Sequence, residues 1–300
     1  MSTSLLLAVA VIWGSSYLAA KTLVVVGGVL AVLALRFLFS AVAMLPVIAV
    51  RRPGRPGRRE LGVGSLLGLT QSAVLLLETY GVAHTSATNA GVLISLTILL
   101  TPLMEGVAGR RFLPGRFFVA SLVAVAGVVL LVAGPGLTAP SLGDGLMLCA
   151  AVVRSVHVTL SGHLTRGRSF DTVTLTFVQT VVGTVLFGVA AVPTLGAAVR
   201  AFGFAEWAGI VYLALGCSVF AFLVQLWAVR RTSAARASLL LGTEPVWAVL
   251  IGVGLGGEHL TAVTVAGIVL VLGGTYYGQR VETRHRRAAP RVRPPVSALG

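Results

Sequence analysis

Long apolar stretches separated by short polar breaks recur along the whole chain. Each is about 18–23 residues long, enough for a helix to cross the hydrocarbon core of a bilayer. Only a helix or a closed barrel can cross lipid with its backbone hydrogen bonds satisfied. The pattern therefore predicts an all-α integral membrane protein with ten transmembrane helices. The ten predicted spans are 5–21, 28–50, 61–82, 86–109, 114–133, 145–163, 172–192, 205–229, 232–255 and 260–278.

A connection rich in proline and glycine, GPGLTAPSLGDG, separates the fifth span from the sixth. It predicts two domains, 1–134 and 141–279, each holding five spans. The residues that follow, 280–300, are basic and rich in proline, so we expect a disordered tail.

The two halves share related positions at a constant offset of 147 residues. The matched positions include Thr85 with Thr232, Ser86 with Ser233, Ala87 with Ala234, and Ala120 with Gly267. At that offset Pro102 matches position 249, and Pro245 lies four residues, about one helical turn, before it. Because five spans per half is an odd number, the halves must enter the membrane from opposite sides. This predicts two inverted five-helix repeats around a central cavity near the middle of the membrane.

Charge placement predicts the orientation of the chain. The sequence is 56% hydrophobic and 11% charged, well below the charged fraction of about 25% that is usual for soluble domains. The net charge is +14, yet nineteen of the 23 lysines and arginines fall on one predicted side, in short loops and the tail. Such a bias indicates the cytoplasmic side of the membrane, not nucleic-acid binding. We therefore expect a multi-pass protein of the cytoplasmic membrane with both termini in the cytoplasm.

Five charged residues fall inside predicted spans, where a charge is costly and often marks a functional site. They are Arg36, Glu78, Glu105, Arg154 and Glu244. Depth along the spans predicts two ion pairs, Arg36 with Glu78 and Arg154 with Glu244. Each pair could be structural, or it could face a substrate cavity. Glu105 lies within a turn or so of Arg110, so we expect it to reach the cytoplasmic surface.

Polar residues within the same spans extend the list of candidates for the substrate cavity. The predicted cavity residues are Trp13, Ser16, Arg36, Gln71, Glu78, Arg154, His157, Gln179, Glu244 and Pro245. Trp13 could instead be a packing residue, and His157 could be a buried polar residue of the helix interior. Gln71 and Gln179 could bond neighbouring helices rather than a substrate.

Several short motifs together resemble one known family. Trp13-Gly14-Ser15-Ser16 lies on the first span, Arg36-Phe37 on the second and Glu244-Pro245 on the ninth, and a glycine-spaced run lies on the tenth. This ordered set resembles the EamA branch of the drug/metabolite transporter superfamily. The resemblance implies ten helices around a cavity, alternating access, and export of amino acids, related metabolites or drugs. Arg154 departs from the pattern, since relatives often carry an aromatic residue there.

These features favour a secondary active transporter of small metabolites, without a cofactor or a bound metal and with no enzymatic activity. Protons are the candidate coupling ion, and membrane lipid surrounds the protein. In one hypothesis Arg154 binds an anionic group, while Glu244 either fixes Arg154 or exchanges the driving proton. The alternatives are a structural or regulatory membrane protein and an intramembrane enzyme. The enzyme is disfavoured because His157 and His163 are not backed by acids at the spacing of metal ligands.

Overall fold

The structure, a computed structural model, describes residues 2–51, 53–85, 87–110, 112–132, 141–247, 250–251 and 261–288. Helices with short connections account for nearly all of these residues. In chain order the helices are α1 (Ser2–Gly27), α2 (Val29–Arg51), α3 (Arg58–His84), α4 (Ala87–Ser95), α5 (Thr97–Gly109), α6 (Gly115–Val132), α7 (Leu142–Thr165), α8 (Thr172–Ala201), α9 (Phe204–Tyr212), a π-helical segment (Leu213–Phe220), α10 (Ala221–Arg231), α11 (Ala234–Leu241) and α12 (Ala262–Ala288).

Six helices in the described part are long and apolar enough to cross a membrane. They are α2, α3, α7, α8, the continuous run from α9 to α10, and α12. The first helix is a seventh candidate, although it bends by 43° between Thr3–Ser16 and Ala19–Gly27. The apolar helices Leu93–Gly109 and Gly115–Leu130 are shorter. The predicted ninth span runs into residues outside the described part, so the full set of ten remains a prediction.

The predicted fourth and ninth spans are both interrupted. In the ninth, α11 ends at Leu241 and residues 244–247 resume the helix after a turn. Leu241 is four residues before Pro245, and proline has no N–H group to donate to the Leu241 carbonyl oxygen. In the fourth, the interruption falls at Leu96, six residues before Pro102, which lies inside α5. Proline therefore explains the position of the break in the ninth span but not that of the break in the fourth span.

A glycine on α6 and a glycine on α12 bring these two helices into backbone contact. A Cβ atom on Gly127 would lie 2.8 Å from the carbonyl oxygen of Gly267, and one on Gly274 would lie 2.7 Å from that of Ala120. Gly127 and Gly274 are 147 residues apart in the sequence, and so are their partners, Ala120 and Gly267. Later residues of α6 contact earlier residues of α12, so the two helices are antiparallel. The contact is the same when the two helices are exchanged, as it would be about a two-fold axis.

One carboxylate ties four helices together at the end of the bundle where α10 finishes and α11 begins, here called the arginine-rich end. Glu105 on α5 accepts hydrogen bonds from the backbone N–H groups of Ala234 (3.3 Å) and Ala235 (2.8 Å) at the start of α11. It also forms ion pairs with Arg166 (3.4 Å) and Arg286 (3.6 Å). Glu105 is thus a partly exposed interhelical tie at the arginine-rich end, with Arg166 and Arg286 as its ion-pair partners.

The last helix extends further than expected. We predicted disorder from Arg280 onward, but α12 continues to Ala288. Glu282 explains the extension: its side chain is buried, accepts a hydrogen bond from Ser233 Oγ (2.9 Å) and pairs with Arg286 one turn later. The rest of the predicted tail, 289–300, lies outside the described residues.

Candidate functional site

A narrow cavity of about 40 Å³ lies inside the helix bundle, between α1, α2, α3, α7 and the α10–α11 region. Its lining includes two arginines and two glutamates, so its formal charge balances. Polar and charged side chains outnumber apolar ones in the lining, and such groups inside a membrane bundle often mark a functional site. The lining residues are Trp13, Ser16, Arg36, Gln71, Val74, Leu75, Glu78, Arg154, Phe222, Gln225 and Glu244.

Arg154 links two carboxylates from different helices. Its Nη2 lies 2.8 Å from Glu244 Oε1, and its Nη1 lies 3.2 Å from Glu78 Oε1. The predicted Arg154–Glu244 ion pair is therefore confirmed, while the second carboxylate was unexpected. Buried charges need such partners, because an uncompensated charge away from water is strongly destabilising. The shared arginine fixes α3, α7 and the ninth span around the cavity.

Trp13 holds the same arginine from a third side. The guanidinium carbon of Arg154 lies 4.4 Å from the centroid of the Trp13 ring, a distance at which a cation is attracted to the aromatic face. The indole Nε1 donates to the carbonyl oxygen of Cys217 at 2.9 Å. Trp13 is thus both a cavity residue and a packing residue, and the two interpretations of the sequence are compatible.

Glu244 owes its place to the interruption of the ninth span. Thr243 lies in the turn after α11, and Glu244 and Pro245 are the first residues of the helical stretch 244–247. Proline fits the first turn of a helix, where no intrahelical donor is needed. A carboxylate is favoured at the same end by the unpaired N–H groups. The Glu-Pro pair therefore both starts this helix and directs an acid at Arg154.

Arg36 does not form the ion pair with Glu78 that we predicted. Its Nε donates to Ser218 Oγ at 2.7 Å, and its Nη2 donates to the carbonyl oxygen of Cys217 at 3.3 Å. Both acceptors belong to the π-helical segment, whose wider turns leave carbonyl groups available to other helices. Glu78 instead pairs with Arg154, although both it and Arg36 line the cavity.

Three predicted candidates do not line this cavity. His157 Nδ1 lies 2.8 Å from Thr70 Oγ1, which makes it a buried polar link between α7 and α3. Gln179 donates to the carbonyl oxygen of Leu175 on its own helix, at 3.3 Å. Pro245 acts through the backbone and the placement of Glu244. The other predicted residues, Trp13, Ser16, Gln71 and the four charged side chains, come together as expected.

Several residues of the site were not predicted from the sequence. Gln225 and Phe222 on α10 line the cavity, and Ser218 holds Arg36. Gln225 is an amide within an apolar span, as Gln71 and Gln179 are, so the same reasoning would have identified it. Ser218 and the carbonyl of Cys217 gave no comparable signal, because their role depends on the π-helical turns.

A second narrow cavity, of about 50 Å³, adjoins the first and shares Ser16, Arg36, Leu75 and Glu78 with it. From there it continues along α1 and α3 to exposed residues, Lys21 and Ala83. These lie near the ends of α1 and α3, opposite the arginine-rich end. The two cavities thus share part of their lining, and the second leads toward the end of the bundle that carries Lys21.

Comparison with known proteins gives a consistent result. The model of the EamA-like transporter family matches the chain twice, over residues 1–133 and 141–277. The uncharacterized transporter YetK of Bacillus subtilis is 27% identical over 286 residues, covering 91% of this chain and 84% of YetK. The uncharacterized inner membrane transporter YedA of Escherichia coli K12 is 26% identical over 283 residues, covering 90% of each chain.

A solved crystal structure supports the fold. It superposes with a TM-score of 0.78 and covers 93% of this chain and 98% of its own, at 20% sequence identity. That identity supports a common fold without indicating a substrate. The two matches to the family model together span nearly all of the chain up to residue 277, which lies within α12. The chain is a multi-pass membrane protein that belongs to the EamA-like transporter family.

Proposed function

We propose that the protein is a secondary active transporter that moves small organic solutes across the cytoplasmic membrane by alternating access. The observation that carries the proposal is the cavity that holds Arg36, Arg154, Glu78 and Glu244 between helices of both halves. Charged side chains inside a membrane bundle are typical of substrate and ion pathways. Amino acids, related metabolites and drugs are the substrate classes that the proposal includes.

The arrangement of the two halves supports alternating access. The exchanged contacts of Gly127 and Gly274 support inverted repeats, which would complete the ten spans predicted from the sequence. The cavity leads toward Lys21 at one end, while Glu105 joins α5, α7, α11 and α12 at the other. In this proposal the structure corresponds to a state open at the Lys21 end, and breaking the Glu105 contacts opens the opposite end.

The arginines assign a direction to these two ends. Loops and helix ends at the arginine-rich end carry most of the positive charge, which favours a cytoplasmic location. The open cavity then faces away from the cytoplasm, in the state from which an exporter releases its substrate. Importers visit the same state, so we propose export from the family resemblance and not from this geometry.

Protons are the proposed coupling ion. Arg154 offers one positive charge to two carboxylates, so a proton or a cationic group on the substrate can neutralise the second acid. The Glu78 side chain is 15% exposed and lines both cavities, whereas that of Glu244 is 4% exposed. Glu78 is accordingly the better placed acid for proton exchange, and Glu244 is the better placed acid for fixing Arg154.

The proposal is tested by reconstituting the purified protein into liposomes. Uptake of a panel of labelled amino acids is measured with and without a pH gradient, against protein-free liposomes. We expect saturable uptake of at least one compound that the pH gradient increases. A well-folded protein that moves no member of an extended panel of amino acids, related metabolites and drugs would support the structural or regulatory alternative.

A further inference from the structure

Arg36 has hydrogen-bonding capacity that the described part of the protein does not use. A guanidinium group carries five N–H donors. In Arg36 two donors are engaged, by Ser218 Oγ and by the carbonyl oxygen of Cys217. Both acceptors are formally neutral, and no carboxylate of the described residues lies within 4.0 Å of its nitrogens. The residue is only 7% exposed and lines both cavities.

Arg154 is in the opposite situation. Two of its nitrogens face carboxylates, and the Trp13 ring covers its guanidinium group. An anion could reach this arginine only by displacing Glu78 or Glu244, which would leave a carboxylate without its partner in a buried site. Such a loss is strongly unfavourable. Arg154 is therefore suited to hold the cavity together rather than to bind an anionic ligand.

We propose that Arg36, and not Arg154, binds the anionic group of the transported solute, and that this group is a carboxylate. This inference rests on the proposed function. The planar fork of an arginine matches the two oxygens of a carboxylate, and a buried cation with no carboxylate of the described residues within 4.0 Å can accept an anionic occupant. Ser218 and Cys217 hold the side chain in place, so little ordering is needed on binding.

The charge balance of the cavity specifies the rest of the solute. Its lining carries two positive and two negative side chains, so a bare carboxylate would add an uncompensated charge to a poorly solvated space. A solute with a cationic group as well as its carboxylate keeps the balance. Glu78, which lines the same space as Arg36, is the acid that faces this cationic group. The expected ligand is therefore a compact zwitterion.

Two matched sets of compounds test the assignment by thermal stabilisation of the purified full-length protein. One set is L-leucine, L-leucinamide and 4-methylpentanoate, and the other is L-phenylalanine, L-phenylalaninamide and 3-phenylpropionate. The amides lack the carboxylate, and the simple acids lack the ammonium group. We expect the amino acid of at least one set to stabilise the wild type and its amide to have a much weaker effect.

Variants of Arg36 then locate the binding group. Arg36→Gln should weaken the apparent affinity for the stabilising amino acid roughly tenfold or more, the loss expected for a charge-assisted hydrogen bond. Arg36→Lys keeps the charge without the fork and should lie between wild type and Arg36→Gln, which covers the case in which Arg36→Gln does not fold. Arg200→Gln, an exposed cation at the Lys21 end, should bind as the wild type does.

Three outcomes would overturn the assignment: equal stabilisation by amide and amino acid, unchanged affinity in the folded Arg36 variants, or no stabilisation by any carboxylate compound. Flux in liposomes is read separately. Binding that depends on Arg36 without any flux would contradict the proposed transport function and leave the assignment of Arg36 standing.

Discussion

Gly127 on α6 and Gly274 on α12 make the same backbone contact in exchanged form. Gly127 faces Gly267 and Val271, and Gly274 faces the positions 147 residues earlier, Ala120 and Ala124. The offset of 147 residues is the one that relates the two halves of the sequence. An antiparallel contact that is equivalent in both directions is what a two-fold axis between inverted repeats would produce.

This contact predicts a large effect of a single methyl group. Gly127→Ala and Gly274→Ala each place a Cβ within 2.8 Å of backbone atoms of the opposite helix, so the helices must separate. We expect a loss of about 1–3 kcal/mol for each, as for other overpacked cores, seen as a lower melting temperature in detergent. Gly273→Ala is the matched control, because nothing lies within 4 Å of its Cβ position. Equal melting temperatures for the three variants would contradict this packing.

Removal of Arg154 should be more damaging than removal of either acid. Arg154→Met leaves Glu78 and Glu244 in the bundle without the cation between them. The expected loss is about 3–5 kcal/mol, the range for breaking a buried ion pair. Because protonation neutralises the two carboxylates, the melting temperature of this variant should recover at pH 5 relative to pH 8. A variant as stable as the wild type at pH 8 would show that the ion pairs contribute little.

The two acids should differ in their effect on coupling. Glu78→Gln should reduce the stimulation of flux by a pH gradient, since Glu78 lines both cavities. Glu244→Gln should keep that stimulation and mainly lower the melting temperature, since it removes the 2.8 Å partner of Arg154. Flux measured in liposomes with and without a gradient separates these effects. Loss of coupling in Glu244→Gln alone would instead identify Glu244 as the acid that exchanges the proton.

His157 should not take part in proton coupling. Its ring bonds Thr70 Oγ1 at 2.8 Å, and it does not line the cavity. His157→Gln should therefore keep the pH dependence of flux between pH 5.5 and 7.5, with at most a small loss of stability. A pH profile that flattens in this variant would return His157 to the list of site residues.

Glu105 should control access at the arginine-rich end. Glu105→Gln weakens its ion pairs with Arg166 and Arg286 and its contacts with the first N–H groups of α11. In a background without native cysteines, Ser238→Cys on α11 reports opening by its rate of labelling with a water-soluble maleimide. We expect several-fold faster labelling in Glu105→Gln. The control is Glu60→Gln, which makes the same change of charge near α8. Glu60 accepts a hydrogen bond from the Asp171 N–H, and its replacement should not change the labelling rate of Ser238→Cys.

The sequence predicted how deep each charged residue lies in the membrane better than it predicted the direction in which the side chain points from its helix. Arg154 and Glu244 lie at similar depth and do pair. Arg36 and Glu78 also lie at similar depth, yet Arg36 is held by Ser218 and Cys217. The π-helical turns that present these acceptors depend on packing between α2 and the segment Leu213–Phe220, which periodicity along one span does not contain.

The extent of the last helix could not be predicted for a similar reason. Six arginines after Gln279 and the prolines beyond 289 suggest disorder. Burial of Glu282 beneath Ser233, with Arg286 one turn away, stabilises the helix to Ala288. The partner of Glu282 is 49 residues distant in the chain, so the stabilising contact exists only in the folded protein.

The central claim is that solute passes through the cavity between the two halves. It is tested most directly by blocking that cavity. Ser16 lines both cavities, so Ser16→Cys is introduced into a protein in which Cys149 and Cys217 are replaced. Flux in liposomes is then measured before and after treatment with a bulky methanethiosulfonate reagent. The control retains only the native Cys149, which is exposed and outside the cavity. We predict that the reagent reduces flux at least tenfold in Ser16→Cys and leaves the control unchanged; undiminished flux through fully labelled Ser16→Cys would contradict the claim.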